Sequence, residues 1–254
     1  MNSLATSRFW KLYNALPAEV RALSDKTYTL WLKDPRHTSL LFKELGGREN
    51  KFSVRIEDAT LLCLDETTGH ELARFHCPPR EVYGVCSTPT VEGDRLYFVA
   101  SSPEVVCLDL KSWLKPDVAA GEADPAQHIL WRYDMAKTFR IKQDHVASCS
   151  VLVHGDFVYV CTGNERNKHA RSAFFPLTPS LIVLNKHTGQ LVARDDEQIG
   201  EQLWRGQWSS PSLATVNGKE QILFATGNGY CYAFEPVDPA AWMANCLSVK
   251  ASCR

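Results

Sequence analysis

The chain has 254 residues, of which 44% are apolar and 22% are charged, and its formal net charge is −1. This composition predicts a folded globular protein and excludes polyanion binding over a generally basic surface. No apolar run approaches the ~18 residues that a membrane-spanning helix needs, and the first residues lack the apolar core of a secretion signal, so the sequence as written predicts a cytoplasmic location.

Residues 1–56 predict a helical hairpin followed by the beginning of a sheet. Apolar residues at helical spacing run from Phe9 to Leu16, Pro17 stands at the start of a second amphipathic helix, and residues 51–56 alternate like a strand. This part of the chain does not share the pattern that follows it. We therefore expect a small α+β segment here.

The N-terminal residues also resemble a family. Leu16-Pro-Ala-Glu-Val-Arg21 and Phe42-Lys-Glu-Leu-Gly46 look like the first half of a RelE/ParE-type bacterial toxin. The resemblance implies a compact domain that targets mRNA or gyrase with basic residues, and it ends at Ile56, before the family's later strands. We therefore predict an incomplete and inactive toxin-like fragment, and no strong nucleic-acid signal occurs outside it. Its candidate phosphate-binding residues are Arg36, Lys43, Arg48 and Arg55.

A β-rich pattern begins abruptly at Asp58, with no linker signature at the junction. Residues 181–194 read as a β-hairpin, in which two apolar runs flank a polar turn that contains Gly189. Residues 61–75 are a second copy of this hairpin, with Asp65 and Gly69 at the turn. Weaker copies keep only the first strand, and one of them ends at Asp109.

A second unit alternates with the hairpin and places a two-residue turn before a β-rich run. The turns of this unit contain Gly93, Gly155 and Gly218, which lie 62 and 63 residues apart. Together the two units form a module of four short strands, which cannot bury both of its faces alone and so predicts a β-propeller. Residues 58–239 hold about 3–3.5 such blades, fewer than the ~4–8 that close a ring, and residues 240–254 predict an irregular tail.

The nine cysteines and eight histidines do not predict a metal site. Cys63 and Cys107 share a position of the repeat that Val183 and Ala233 occupy in the other copies, so we interpret it as a small buried strand position. The chain has no Cys-x-x-Cys motif and no cluster of Cys and His at zinc spacing.

Residues 58–239 resemble the quinoprotein-like β-propellers with PQQ-type repeats. The motifs that carry the resemblance include Leu64-Asp65 with Thr68-Gly69, Leu130-Trp-Arg-Tyr-Asp134 and Gly206-Gln-Trp-Ser-Ser-Pro211. In that family an Asp, a Thr-Gly turn and a last-strand Trp lock neighbouring blades together. The resemblance therefore implies structural turn and docking roles here, although two blades carry Ala73-Arg74-Phe75 and Ala193-Arg194-Asp195 without the Trp. The residues assigned these roles are Asp65, Gly69, Asp109, Trp131, Gly189 and Trp208.

The resemblance includes both scaffold proteins and enzymes. Its PQQ dehydrogenases use a vicinal Cys-Cys disulfide and a Ca²⁺ held by Glu and Asn, and this chain has no adjacent cysteines. We therefore predict a truncated, non-catalytic binding or scaffold protein with an unknown protein partner, and with no cofactor or metal. A fragment of a PQQ- and calcium-dependent dehydrogenase is the alternative, and an incomplete toxin is the second alternative. Intact propeller relatives are usually periplasmic or exported.

Two polar loop clusters could contact a ligand at a propeller face. They are Asp144-His145 and residues 164–167. Connections between blades are ordinarily polar, so the alternative interpretation is that both clusters are solvated loops.

Overall fold

The structure is a computed structural model of the chain. It describes residues 7–15, 18, 21–22, 24–26, 29, 43–44, 52–53, 60–65, 71–76, 85–114, 125–141, 149–167, 169–170, 172–204, 206–238, 246–247 and 249–253. Within these residues, no helix is long and apolar enough to cross a membrane.

The N-terminal segment contributes helix α1 (Ser7–Ala15) and two short strands, β1 (Lys43–Glu44) and β2 (Phe52–Ser53). The two strands pair antiparallel. Of the four basic residues predicted to bind phosphate, Lys43 lies in β1, and the other three lie outside the described residues. The toxin-like assignment therefore stays a prediction.

The rest of the chain is a succession of short strands with a few helical turns. Two of these turns are α-helical and are labelled α2 (Leu110–Trp113) and α3 (Met135–Phe139). Two others are 3₁₀ turns, Pro125–His128 and Ile199–Glu201. The strands are β3 (Thr60–Leu64), β4 (Glu71–His76), β5 (Thr90–Glu92), β6 (Arg95–Val99), β7 (Glu104–Asp109), β8 (Ile129–Asp134), β9 (Leu152–His154), β10 (Phe157–Cys161), β11 (Leu181–Asn185), β12 (Leu191–Asp195), β13 (Ser212–Val216), β14 (Lys219–Ala225), β15 (Cys231–Phe234), β16 (Cys246–Leu247) and β17 (Val249–Cys253).

These strands form four antiparallel units, which we name blades. Blade 1 is the pair β3-β4, blade 2 is β5-β6-β7-β8, blade 3 is β9-β10-β11-β12, and blade 4 is β13-β14-β15-β17. Strand β16 adds a parallel edge to β12 of blade 3. The mainly β architecture of a partial propeller, which the repeat predicts, is confirmed.

The core lies between the blades because each strand alternates its apolar side chains between two faces. In β7 of blade 2, Val105 and Cys107 belong to the cluster shared with blades 3 and 4. Their neighbours Val106 and Leu108 belong to the cluster shared with blade 1. Blade 2 is therefore buried on both faces, which a single four-stranded sheet cannot achieve alone.

The C-terminal tail differs from the irregular segment that the sequence predicts. Strand β17 pairs antiparallel with β15, with Ala251 opposite Ala233, and completes the fourth strand of blade 4. The sequence of β17, Val-Lys-Ala-Ser-Cys, alternates apolar and polar residues, but the alternation is only five residues long, and Lys and Ala are depleted in strands, so it is a weak strand signal. The open backbone edge of β15 supplies the hydrogen-bonding partner that makes this segment a strand.

Candidate functional site

The polar residue that ends the third strand of a blade caps the turn that follows it. At the end of β7, the Asp109 side chain accepts a hydrogen bond from the backbone N–H of Lys111, at 3.0 Å. At the end of β11, Asn185 Oδ1 accepts from the N–H groups of His187 and Thr188, at 2.9 and 3.0 Å. Asx side chains stabilise turns in this way because they mimic a backbone acceptor.

The turn residues predicted for blade 1 are Asp65 and Gly69. Asp65 directly follows β3 and is half-buried, and Gly69 lies outside the described residues.

Trp131 in β8 of blade 2 lies against the turn of blade 3. The residue is 8% exposed, and its Cδ2 atom lies 2.6 Å from the position that a Cβ atom would occupy at Gly189. The indole N–H donates to the carbonyl oxygen of Lys186, at 3.1 Å. A glycine is required at this turn for two reasons, namely its φ of +71° and the ring that covers it.

The carbonyl oxygen of Lys186 accepts further hydrogen bonds from blade 2. Arg95 Nη1 lies 2.8 Å away, and Tyr97 Oη lies 3.4 Å away. The Lys186 ammonium pairs with Glu92 at 2.9 Å, and its side chain is only 15% exposed. Burial raises the pKa of Tyr97 to about 12, so the hydroxyl stays protonated as a donor. Blade 2 thus holds one turn of blade 3 from several strands.

The junction between blades 1 and 2 uses a tryptophan from the opposite side. Ala73 pairs with Cys63 as Trp131 pairs with Cys107, so blade 1 has alanine at the register position of the docking tryptophan. Trp113 in α2 of blade 2 lies against blade 1 instead, where it is 5% exposed. Its indole N–H donates to the carbonyl of Arg74, at 3.4 Å.

Two aromatic contacts also hold Trp113 in this core. Trp113 packs edge-on against Phe75, with ring centroids 6.4 Å apart. Phe75 in turn packs edge-on against Phe98 of blade 2, at 5.8 Å. Such T-shaped pairs contribute about 0.5–1.5 kcal/mol each beyond the buried area.

The junction between blades 3 and 4 has neither tryptophan. Ala193 occupies the docking register position, opposite Val183. Here the hydroxyl of Tyr159 in β10 accepts a hydrogen bond from the backbone N–H of Val237 in blade 4, at 2.9 Å. Tyr159 is fully buried, and its position in β10 matches that of Tyr97 in β6.

A buried carboxylate connects two strands of blade 3 at the C-terminal end of β12. Asp195 Oδ2 accepts from the backbone N–H groups of Ser180 and Leu181, at 2.6 and 2.7 Å. Asp195 is 5% exposed, and burial raises its pKa to about 6 despite these hydrogen bonds. The carboxylate therefore joins the end of β12 to the start of β11.

A row of hydroxyl contacts crosses from blade to blade before each first strand. The backbone N–H of Thr88 donates to Ser150 Oγ at 3.2 Å, and the N–H of Ser150 donates to Ser210 Oγ at 2.8 Å. These partners are 62 and 60 residues apart, close to the repeat period. These residues belong to Ser-Thr-Pro, Ser-Cys-Ser and Ser-Ser-Pro motifs in the sequence. The sequence alone does not show that the motifs contact one another across the blades.

The loop end of blade 3 exposes large apolar side chains. The β10–β11 connection (162–180) and the β12–β13 connection (196–211) leave the sheet at the same end, because β10 and β12 run in the same direction. We call this side the loop end. Its exposed residues, with their exposed fractions, are Phe174 (37%), Leu177 (78%), Trp204 (53%) and Trp208 (46%).

Trp208 differs from Trp131 in its surroundings. A Cβ atom added at Gly206 would lie 2.6 Å from Cε2 of Trp208, so the indole covers its own segment. Nearly half of the side chain stays open to solvent. The structure therefore brings together Trp131 and Gly189, and it places Trp208 apart from them.

A cleft of about 400 Å³ opens beside Trp204. Its lining residues are Ser172, Glu201, Gln202 and Trp204. Ile199 and Leu203, on either side of the exposed pair Glu201 and Gln202, are buried in the blade core and anchor the segment. The backbone N–H of Trp204 donates to the carbonyl of Gly227 in blade 4, at 2.9 Å.

Of the two polar loop clusters that the sequence suggests as ligand contacts, one lies within the described residues. Asp144-His145 lies outside the described residues. Asn164 is fully buried, and its Nδ2 donates to the carbonyl of Phe175 at 2.9 Å. Among the described protein atoms, the Asn164 and Gln207 side-chain oxygens have no hydrogen-bond partner.

The described residues do not offer a ligand set for PQQ with calcium. Within the described part of the chain, no three His, Cys, Asp or Glu side chains converge as a metal site. The buried Asp195 carboxylate is bound by backbone N–H groups. Among the described residues that line the cleft, the one carboxylate is Glu201, which would repel the carboxylates of the quinone.

Comparison with known proteins supports the fold alone. No family model and no curated protein matches the chain. The crystal structure of a quinohemoprotein alcohol dehydrogenase from Comamonas testosteroni has a TM-score of 0.50 at 14% identity, over 80% of this chain and 36% of that chain. The crystal structure of BamB from Moraxella catarrhalis has a TM-score of 0.44 at 13% identity, over 78% of this chain and 44% of that chain. The chain thus spans less than half the length of both proteins.

Proposed function

We propose that the chain is a non-catalytic propeller scaffold that binds a protein partner at the loop end of blade 3. The observation that carries this proposal is the exposure of Leu177, Phe174 and Trp208 on neighbouring connections. Large apolar side chains left exposed on one side of a soluble protein are typical of interaction sites.

The stacked blades supply the rigid support that such a surface needs. The β10–β11 connection begins beside the fully buried Thr162, whose hydroxyl donates to the carbonyl of Pro179 at 2.8 Å. It ends at Ser180, which Asp195 binds. Because both ends of the connection are fixed, its exposed side chains are presented with little loss of entropy on binding.

Affinity capture of the full chain from cells, with quantitative mass spectrometry, tests this proposal. We expect a partner that the wild type captures and that the double variant Phe174→Ser with Leu177→Ser loses. Leu130→Ser is the matched control, because Leu130 is 46% exposed but lies on outer strand β8. Capture that both variants reduce equally, or that neither reduces, would exclude the loop end as the binding surface.

Two other functions are distinguished by direct assays. A PQQ-dependent dehydrogenase would show an absorbance change when the protein is titrated with PQQ and Ca²⁺, and the scaffold proposal expects none. A RelE/ParE-type toxin would arrest growth when the full chain is induced, whereas an incomplete fragment leaves growth normal. We also propose that residues 1–56 are a toxin-like segment and that the partial propeller spans residues 58–239.

A further inference from the structure

The cleft beside Trp204 lies at the same loop end, but its described lining residues do not include Phe174, Leu177 or Trp208. Trp204 is 53% exposed and forms part of the cleft wall. An indole ring held half open to water gains free energy when a ligand covers its apolar face. The cleft therefore favours a ligand with one flat apolar side.

Contacts with blades 3 and 4 hold Trp204 in place. Leu203, its chain neighbour, is fully buried, and the Trp204 N–H is bonded to Gly227 of blade 4. Next to the lining residue Ser172, Ala173 donates its N–H to the carbonyl of Gly200 at 2.7 Å, which holds Ser172 close to the 199–204 segment. Both lining segments are thus fixed by backbone hydrogen bonds, and binding requires little ordering.

The other lining side chains determine which ligand chemistry fits. Ser172 and Gln202 each offer a donor and an acceptor, and Glu201 offers acceptors alone. Among the described lining residues the charged one is Glu201, whose carboxylate would repel an anionic ligand. A neutral molecule with hydroxyl groups around its edge satisfies all three polar residues.

The geometry points to a binding site for a neutral saccharide, with a hexose ring stacked on Trp204 and its hydroxyls bonded by Glu201, Gln202 and Ser172. A hexose presents C–H groups on one face, which pack against the negative face of an indole. It presents hydroxyls at its edge, which exchange hydrogen bonds with carboxylate, amide and serine groups. This site goes beyond the scaffold role and does not depend on it.

Calorimetric titration of the full chain with cellotetraose and with maltotetraose tests the site. We expect one of the two to bind with a Kd of about 1 mM. Trp204→Ala should weaken binding by at least about tenfold, and Trp204→Phe, which keeps an aromatic face, by roughly threefold. Gln202→Ala should also weaken binding without touching the core. Trp10→Phe is the matched control, because Trp10 is 51% exposed but lies in helix α1, and it should leave the Kd unchanged.

Two further arms keep the result decisive. The near-ultraviolet circular dichroism of each variant establishes that a loss of binding is not a loss of folding. PQQ and a capped apolar tetrapeptide are titrated in parallel as the other ligand classes. The inference is overturned if neither tetrasaccharide binds at about 10 mM, if Trp204→Ala binds as tightly as the wild type, or if only PQQ or the peptide binds. Because the partner assay uses Phe174 and Leu177, a failure here leaves the scaffold proposal standing.

Discussion

Replacing Gly189 by alanine tests whether Trp131 locks blade 2 to blade 3. The new Cβ would lie 2.6 Å from two atoms of the indole ring, closer than real Cβ contacts allow. The residue also has a φ of +71°, which costs an alanine about 1–2 kcal/mol. Gly155→Ala isolates this second cost, because Gly155 has a φ of +58° and no atom within 4 Å of its Cβ position.

The magnitude follows from the difference between the two variants. Forcing a methyl group into a packed contact costs about 1–3 kcal/mol, so Gly189→Ala should be less stable than Gly155→Ala by that amount. For a chain of this length, the difference lowers the melting temperature by roughly 2–12 °C. Trp131→Ala should itself cost about 3–5 kcal/mol. The Lys186 carbonyl stays bonded to Arg95 in that variant, so no acceptor is left unpaired.

Urea denaturation of the four proteins of a double-mutant cycle measures the contact. In the Trp131→Ala background the ring is gone, so Gly189→Ala should cost no more than Gly155→Ala does. A coupling of about 1–3 kcal/mol between positions 131 and 189 is expected. Additive costs, or equal costs of the two glycine variants in the wild-type background, would refute the docking contact.

Three further predictions use other contacts of the blades. Burial raises the pKa of Asp195 in the folded protein to about 6, above its usual value of 3.8, so the native state binds the proton more tightly than the unfolded state. Its contribution to stability is present below pH 3.8 and is lost as pH rises through 6, a fall of about 3 kcal/mol between pH 3 and pH 7. Urea titrations across this range should show the fall in the wild type, and Asp195→Asn should remove it, whereas the same profile in both proteins would contradict the assignment. Tyr159→Phe leaves the Val237 N–H without its acceptor and should cost about 1–3 kcal/mol. Tyr97→Phe should cost less, since its 3.4 Å contact is made to a carbonyl with closer donors, and equal midpoints of urea denaturation would contradict this ranking. Removing residues 246–254 exposes the edge of β15 and should lower the unfolding midpoint and increase dye-detected aggregation, and an unchanged midpoint would show that β17 adds nothing.

The propeller class could be predicted from the sequence because its evidence is periodic. Turn residues such as Gly93 and Gly155 recur at a fixed spacing, and apolar strands recur between them. The small buried position shared by Cys107 and Val183 was visible for the same reason, since different small side chains at one position indicate a common packing site. The same turn and strand preferences apply to each copy of the repeat, so several copies support the prediction more strongly than one copy does.

The tail and the loop end could not be predicted in this way. The five-residue alternation of β17 is too short to predict a strand by itself, and the strand depends on the free edge of β15, which is a tertiary cause. The cleft depends on two connections, 162–180 and 196–211, that occur once each and have no second copy for comparison. Trp204 and Trp208 are alike as residues in the sequence, and only the folded chain shows that both remain exposed.

The three blade junctions show why a repeat can keep its fold while losing its motif. Trp131 projects from the last strand of blade 2 onto the next blade, and Trp113 projects backwards from blade 2 onto blade 1. At the third junction the hydroxyl of Tyr159 accepts a hydrogen bond from the backbone N–H of Val237. In each case one aromatic residue with a polar atom fills the space and satisfies one backbone group across the junction. The physical requirement is therefore a filled gap and a paired backbone group, which explains why alanine at positions 73 and 193 does not interrupt the stack.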